Sequence, residues 1–271
     1  MPGAVDADRI TVSHSPDSDD AFMFFALAEG RVDTEGLSFT HALSDIESLN
    51  GQALAGELEV TAVSFHAYAF LADRYLLLPH GASFGDGYGP IVVASESISL
   101  DELAEIEIVT PGSLTTASRV LRLALGDGVR TRDVAFDRVL DEVVSGRARA
   151  GLLIHEGQLT YADSGLHKLL DLGVWWRDQT GLPLPLGLVA VRRDVDRVDD
   201  VSSVLREAID AALANRNEAL EYARAFGRGI DAETADEFVD LYVNDLTLDM
   251  GDRGRRAVAR LLGHEPELIG A

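Results

Sequence analysis

An apolar run, Gly151 to Ile154, ends on an ionisable pair, His155 and Glu156, followed by Gly157. A histidine that emerges at a strand end can take or give a proton near neutral pH, because an unperturbed imidazole has a pKa of ~6.5. Glu156 could orient that imidazole or simply begin the next helix. A lone histidine is more often structural than catalytic, so both readings stay open, while zinc is not expected because HEGQL lacks the second histidine of a metalloprotease helix.

Three further loops follow strand-like runs, where parallel sheets place their functional residues. In HSPDSDDAF, Ser15 is placed to cap a helix starting at Pro16. Asp17, Asp19 and Asp20 then fall in its first turn, where negative charge suits the helix dipole. Unpaired N–H groups there could hold ligand oxygens, but three aspartates would oppose a ligand carboxylate. In AVSFHAY, Ser64 ends a strand and can either donate to a ligand or cap the next helix. In TPGSLTTAS, Gly112 lets the chain turn while Ser113, Thr115 and Thr116 gather at a helix start. Hydroxyls with unpaired N–H groups form an anion cradle that needs no lysine, with ordinary helix capping as the competing role. His14, His41, His80, His167 and His264 have no comparable setting and are expected to be structural. Neither a Walker loop nor a G-x-S-x-G elbow is present, and GDGYGP reads as a tight turn.

These loops need a scaffold. Strand-like runs at 9–14, 37–43, 59–64, 106–110 and 149–154 alternate with helical runs at 19–30, 45–57 and 113–125. YLLLPHGASFG, GPIVVAS, DVAFD and LPLGLVAVRRD read as further strands. After Asp200 the pattern turns helical, with one long amphipathic run at 203–226. Such alternation argues for an α/β architecture with mainly parallel sheets. So many elements fit two lobes better than one sheet. Residues 1–94 and 191–271 are assigned to the first lobe and 95–190 to the second, with chain crossings near 92–97 and 188–193. Two crossings make a hinge, and a hinge makes a cleft suited to a small ligand.

Composition narrows the partners. The chain has 271 residues, 46% hydrophobic and 25% charged, and no cysteine. Disulfides, thiolate metal sites and cysteine nucleophiles are therefore excluded. The net charge is −23, and Lys168 is the only lysine. That balance repels nucleic acid and anionic lipid. It fits either adaptation to high salt or a merely acidic surface. The start MPGAVDADRITV lacks a basic stretch followed by an apolar one, and no uncharged run approaches the ~20 residues that span a bilayer. A cytoplasmic protein without membrane insertion is expected.

Several segments together carry a family resemblance: SPDSDDAFMFFALAEGRVD, DIESLN, DRYLLLPHGASFGDGYGPIVVA, PGSLTTA, LLIHEGQLTY, DLGVWWRDQTGLPLPLG and YVNDLTLDMGDRGRRAVARLL. The chain resembles the 1,4-dihydroxy-6-naphthoate synthases of the futalosine route to menaquinone, a group shaped like periplasmic solute-binding proteins. The resemblance implies a two-lobed (type II) fold around a cleft. It implies carbon–carbon cleavage of cyclic dehypoxanthine futalosine, a small anionic substrate, with no metal or organic cofactor. His155 matches the family's proton acceptor. Ala62, Val63, Ser64, Thr116 and Ala117 match substrate-contacting positions, and Asn50 a further cleft position. Two departures stand out. The family commonly reads SPCPNDTF where this chain has SPDSDDAF, and many members carry a lysine where this chain has Ala62. Either His66 or helix N-termini substitute for that cation, or the substrate differs; for the family substrate, neutral donors at Ser64, Ser113, Thr115 and Thr116, with Ser15 nearby, are expected to hold the carboxylate. A non-catalytic solute-binding protein and chorismate dehydratase, the sister activity, are the alternatives.

Overall fold

The computed structural model of the chain describes residues 9–226 and 231–269. The reading of the first eight residues as free of a leader lies outside them. The first pass of the chain forms β1 (Arg9–His14), α1 (Ser18–Ala28), β2 (Ser38–Leu43), α2 (Ile46–Ala55), β3 (Val60–Ser64), α3 (Phe65–Tyr68), β4 (Tyr75–Leu77) and β5 (Ser83–Gly85). The second pass forms β6 (Ile91–Ala94), α4 (Leu100–Glu105), β7 (Glu107–Thr110), α5 (Thr116–Leu125), β8 (Arg130–Asp133), α6 (Val139–Val144), β9 (Ala150–Leu153), α7 (Gly157–Thr160), β10 (His167–Asp171) and α8 (Leu172–Thr180). The chain then returns through β11 (Leu184–Arg192). It ends in α9 (Val198–Ala214), α10 (Arg216–Arg224), α11 (Ala232–Tyr242), α12 (Asp245–Leu248) and α13 (Gly251–Leu262).

Two sheets result. The first has the order β2-β1-β3-β11-β4, with β5 also paired to β11; the second runs β10-β6-β9-β7-β8. The central strands β3 and β9 are buried along their whole length, as expected for strands covered on both faces. The sheets are mixed rather than mainly parallel. β1 runs parallel to β2 and β3, and β7 to β8 and β9, whereas β6 and β11 pair antiparallel with their neighbours. Those two reversed strands are the first that each sheet receives after the chain changes lobe.

Sheet membership moves both crossings earlier than the sequence suggested. β6 belongs to the second sheet and β11 to the first, so the chain crosses between Gly85 and Ile91 and again between α8 and β11. A short apolar strand reads the same whichever sheet it joins, which is why patterning misplaced these borders. At the first crossing the backbone runs against the start of α8. A Cβ on Gly173 would overlap the Tyr88 carbonyl, so only glycine lets the two segments meet.

Two local expectations change as well. The strand expected at DVAFD lies earlier, at β8, and Phe136–Arg138 form a 3-10 turn. β8 is an edge strand, so its residues are charged rather than apolar. The long C-terminal helix breaks at Asn215, where φ −116° and ψ 41° leave the helical region and the side-chain amide donates to the Ala211 carbonyl at 2.8 Å.

The C-terminal helices complete the first lobe. Phe22, Met23 and Phe25 of α1 pack with Ile209 and Ala212 of α9, Ala219 of α10 and Val239 of α11. This packing fixes the start of α1 at the cleft. The second lobe has its own core, built from β6, β7, β9 and α5 with Trp176 of α8. Among the described residues, no helix is long and apolar enough to cross a membrane.

Candidate active site

A cleft opens between the sheets. Strand β9 ends in it, and His155 follows with φ 54°, in the left-handed region that non-glycine residues rarely occupy. Such a conformation costs about 1–3 kcal/mol and persists where surrounding contacts enforce it. Here the contacts are visible. His155 Nδ1 lies 3.2 Å from Asp17 Oδ2, and the ring meets Phe136 edge-on with centroids 5.1 Å apart. Nε2 is buried and has no hydrogen-bond partner among the described residues. The orienting carboxylate is thus Asp17, 138 residues away in sequence, and not the adjacent Glu156. Glu156 begins α7 and accepts a hydrogen bond from Ser18 Oγ at 3.2 Å.

The loop after β1 is also unlike its sequence reading. Helix α1 starts at Ser18 with Asp17 at the N-cap, and Ser15 caps nothing. Ser15 lines the cleft, but its N–H and Oγ both donate to Asp20 Oδ2 at 2.8 Å. Asp19 and Asp20 both line the cleft and are buried. Burial pushes Asp20 up to about 6, against the two hydrogen bonds from Ser15. Burial, then the neighbouring Asp20, Asp17 and Glu156, hold Asp19 well above the usual carboxylate range. The nearby His14 and His41 face each other at 3.1 Å, and burial lowers both to about 4, so they pack as neutral rings.

The hydroxyl-rich turn contributes less free chemistry than its composition suggests. Thr115 caps α5, accepting from Ser118 N–H at 3.2 Å and donating to the Gly112 carbonyl at 2.8 Å. Thr116 Oγ1 donates to the Leu186 carbonyl at 2.8 Å and accepts from His66 N–H at 3.2 Å. Both threonines line the cleft with Ala117, yet their hydroxyl protons already have acceptors. Ser113 does not join them: it is exposed, at the apex of the turn that Thr115 N–H closes onto Gly112. What remains for an anion is the start of α5 itself, since the first N–H groups of a helix have no intrahelical acceptor. Gly112 matters for a second reason. Glu47 of α2 reaches across and accepts from Leu114 N–H at 3.1 Å, and a Cβ on Gly112 would overlap its carboxylate.

On the facing lobe, Ala62, Val63 and Ser64 line the cleft as the last residues of β3. Asn50 is fully buried and does not line it. Its Oδ1 accepts from Ser64 N–H at 2.9 Å and its Nδ2 donates to Ser64 Oγ at 3.2 Å. Asn50 therefore acts on the cleft through Ser64, whose hydroxyl proton is left to give. Among the described residues, no group of three or more histidine, aspartate or glutamate side chains is arranged to hold a metal ion.

A family model described as menaquinone biosynthesis matches residues 10–266. The chain belongs to this family. It is 40% identical to the 1,4-dihydroxy-6-naphtoate synthase of Thermus thermophilus, over 94% of this chain and 93% of that one. It is 36% identical to the Streptomyces coelicolor enzyme of the same name, over 94% and 92%. A crystal structure of an Archaeoglobus fulgidus protein superposes with a TM-score of 0.89 at 47% identity, covering 96% of this chain and 97% of the other. More distant structures share the fold alone. A ligand-binding component of an ABC-type importer from Staphylococcus aureus gives a TM-score of 0.70 at 10% identity, covering 96% and 94%. A Candida albicans protein described as having the generic periplasmic binding protein fold gives 0.65 at 15%, covering 94% and 89%.

In this menaquinone-biosynthesis family member the two lobes meet through polar links: Asp17 to His155, Ser18 to Glu156, Glu47 to Leu114 and His66 to Thr116. Tyr242 of α11 adds another, donating to Gln158 Oε1 at 2.7 Å, and both side chains line the cleft. Sequence reasoning missed Gln158, Tyr242 and Ser83. Gln158 stands one helical turn beyond His155, a spacing that could have flagged it. Tyr242 comes from a helix more than eighty residues later, and no local pattern marks it. The arrangement can do one thing clearly. It can bring the His155 ring, Ser64 and the start of α5 to one ligand.

Proposed function

We propose that the chain catalyses the reaction of its named relatives, acting as a carbon–carbon lyase that converts cyclic dehypoxanthine futalosine to 1,4-dihydroxy-6-naphthoate. The observation that carries this reading is the placement of His155 in the cleft, with Nδ1 against Asp17 and Nε2 without a hydrogen-bond partner among the described residues. The substrate carboxylate lies against the α5 N-terminus and the Ser64 hydroxyl. Neutral donors serve there, in keeping with Ala62 at a position without a side-chain cation. His155 Nε2 removes a proton from the substrate, and formation of an aromatic ring helps drive the cleavage. General-base action of this kind contributes about 10²–10⁴-fold.

The test is direct. Purified protein given the cyclic substrate should release the naphthoate, identified by mass. His155→Ala should lose turnover by about 10²–10⁴-fold while calorimetric binding is largely kept. A fully active alanine variant overturns the assignment. The fold shared with an importer's ligand-binding component supports a second reading, capture without chemistry. Tight binding of the cyclic compound with no product at any enzyme concentration would favour it.

A further inference from the structure

Asp19 is the second residue of α1 and lines the cleft with only 8% of its surface exposed. Its Oδ1 is buried and has no hydrogen-bond partner among the described residues. The neighbouring Asp20 differs, because Ser15 supplies both of its donors. The groups facing Asp19 are Asp17 and Asp20 from its own segment, Glu156 from the opposite lobe and Tyr242 from α11. Three of these are carboxyl groups, and the fourth already donates its proton to Gln158. An ionised Asp19 would bury a charge with no donor for Oδ1, a costly arrangement. The neutral acid avoids that cost but carries an O–H that needs an acceptor. Burial and the adjacent acids favour this neutral form. Asp19 lines the cleft, so a ligand oxygen there can serve as that acceptor.

We propose that Asp19 touches the ligand directly, giving the O–H of a carboxylic acid to an uncharged ligand oxygen, a carbonyl or hydroxyl, beside His155. The surrounding carboxyls repel a ligand carboxylate from this end of the cleft, while the α5 N-terminus and Ser64 attract one at the other. The two ends thus read a ligand in one orientation, acid end toward α5 and neutral oxygen toward α1. Asp19 is in this account a specificity-determining residue. The inference rests on the proposed function only for the identity of the ligand.

Infrared difference spectroscopy and binding together test it, with 1,4-dihydroxy-6-naphthoate as the probe. Ligand-free wild type at neutral pH should show the carbonyl band of a protonated carboxyl that is absent from Asp19→Asn. Adding the naphthoate should shift that band. Asp19→Ala should weaken binding about tenfold, with Asp19→Asn recovering most of the loss through its amide donor. Wild-type affinity should decline on the alkaline side as Asp19 ionises, and that decline should vanish in Asp19→Asn. A band that ignores the ligand, unchanged affinity in Asp19→Ala, or no binding of the naphthoate to wild type overturns the inference. Were the cyclic substrate not turned over while the band still shifts with the naphthoate, the proposed reaction would fall and the Asp19 contact would stand.

Discussion

Two segments of similar length feed the cleft from opposite lobes, and they treat their polar atoms in opposite ways. Residues 110–118 bring hydroxyls together and then spend them: Thr115 and Ser118 both donate to the Gly112 carbonyl, and Thr116 donates to Leu186. Residues 13–20 bring carboxyls together and complete them unevenly: Ser15 supplies both donors of Asp20, His155 is held against Asp17, and Asp19 Oδ1 is buried without a hydrogen-bond partner among the described residues. The turn looked like a ligand cradle and is largely a self-contained cap. The acid loop looked like an ordinary helix start and supplies the carboxylate beside His155. Function resides where the fold stops short of satisfying its own polar groups, because only there does a ligand gain by supplying the missing partner.

That contrast can be broken by mutation. The largest effect is expected from Asp17→Ala, which removes the group beside His155 Nδ1. Turnover should drop roughly tenfold or more with KM little changed. Equal turnover in the variant would mean that Asp17 is a bystander.

Next comes the pH dependence of stability. Burial raises the folded-state pKa of Asp20 to about 6, above its ordinary value of 3.8. A raised acid contributes stability that is present below the unfolded-state pKa and lost as pH rises through the folded-state value. The melting temperature of wild type minus that of Asp20→Asn should therefore decline between pH 4 and pH 7. The loss is on the order of 3 kcal/mol, at about 1.4 kcal/mol per unit. A difference that is flat or grows with pH would show that Asp20 is not penalised for its charge.

The smallest effect belongs to the turn. Thr115→Ala removes a helix cap, which costs about 1 kcal/mol of stability. Turnover of the folded variant should stay near that of wild type. A loss of binding comparable to that of a cleft contact would restore the hydroxyl cradle that the geometry disfavours.

The alternation of strands and helices was legible because periodicity reports which faces are buried, and β1, α1, β3, α5 and β9 appear within a few residues of their expected bounds. Lobe membership was not. Ile91–Ala94 and Leu184–Arg192 are apolar whichever sheet they enter, so the crossings were set too late. β8 escaped because an edge strand carries Arg130, Arg132 and Asp133 rather than a hydrophobic alternation. Of the site, His155, Ser64 and the start of α5 could be read from strand ends. Asp17 as the partner of His155 could not, since the pair exists only once the lobes face each other. Asn50 was drawn in by resemblance, and its contribution through Ser64 is a matter of two hydrogen bonds that sequence does not display. Ser113 shows the reverse error: its residue type suited the task, but its place at the apex of a turn did not.

The Glu47 clasp on Leu114 N–H, with its companions at His66 and Tyr242, bears on how molecules come and go. Water can stand in for each polar partner as it lets go, although Leu114 adds some apolar contact that water cannot replace. Polar links of this kind can open and re-form, and hinge motions typically fall on the microsecond-to-millisecond scale. Motions of that kind are fast against a common enzyme pace of about ten events per second.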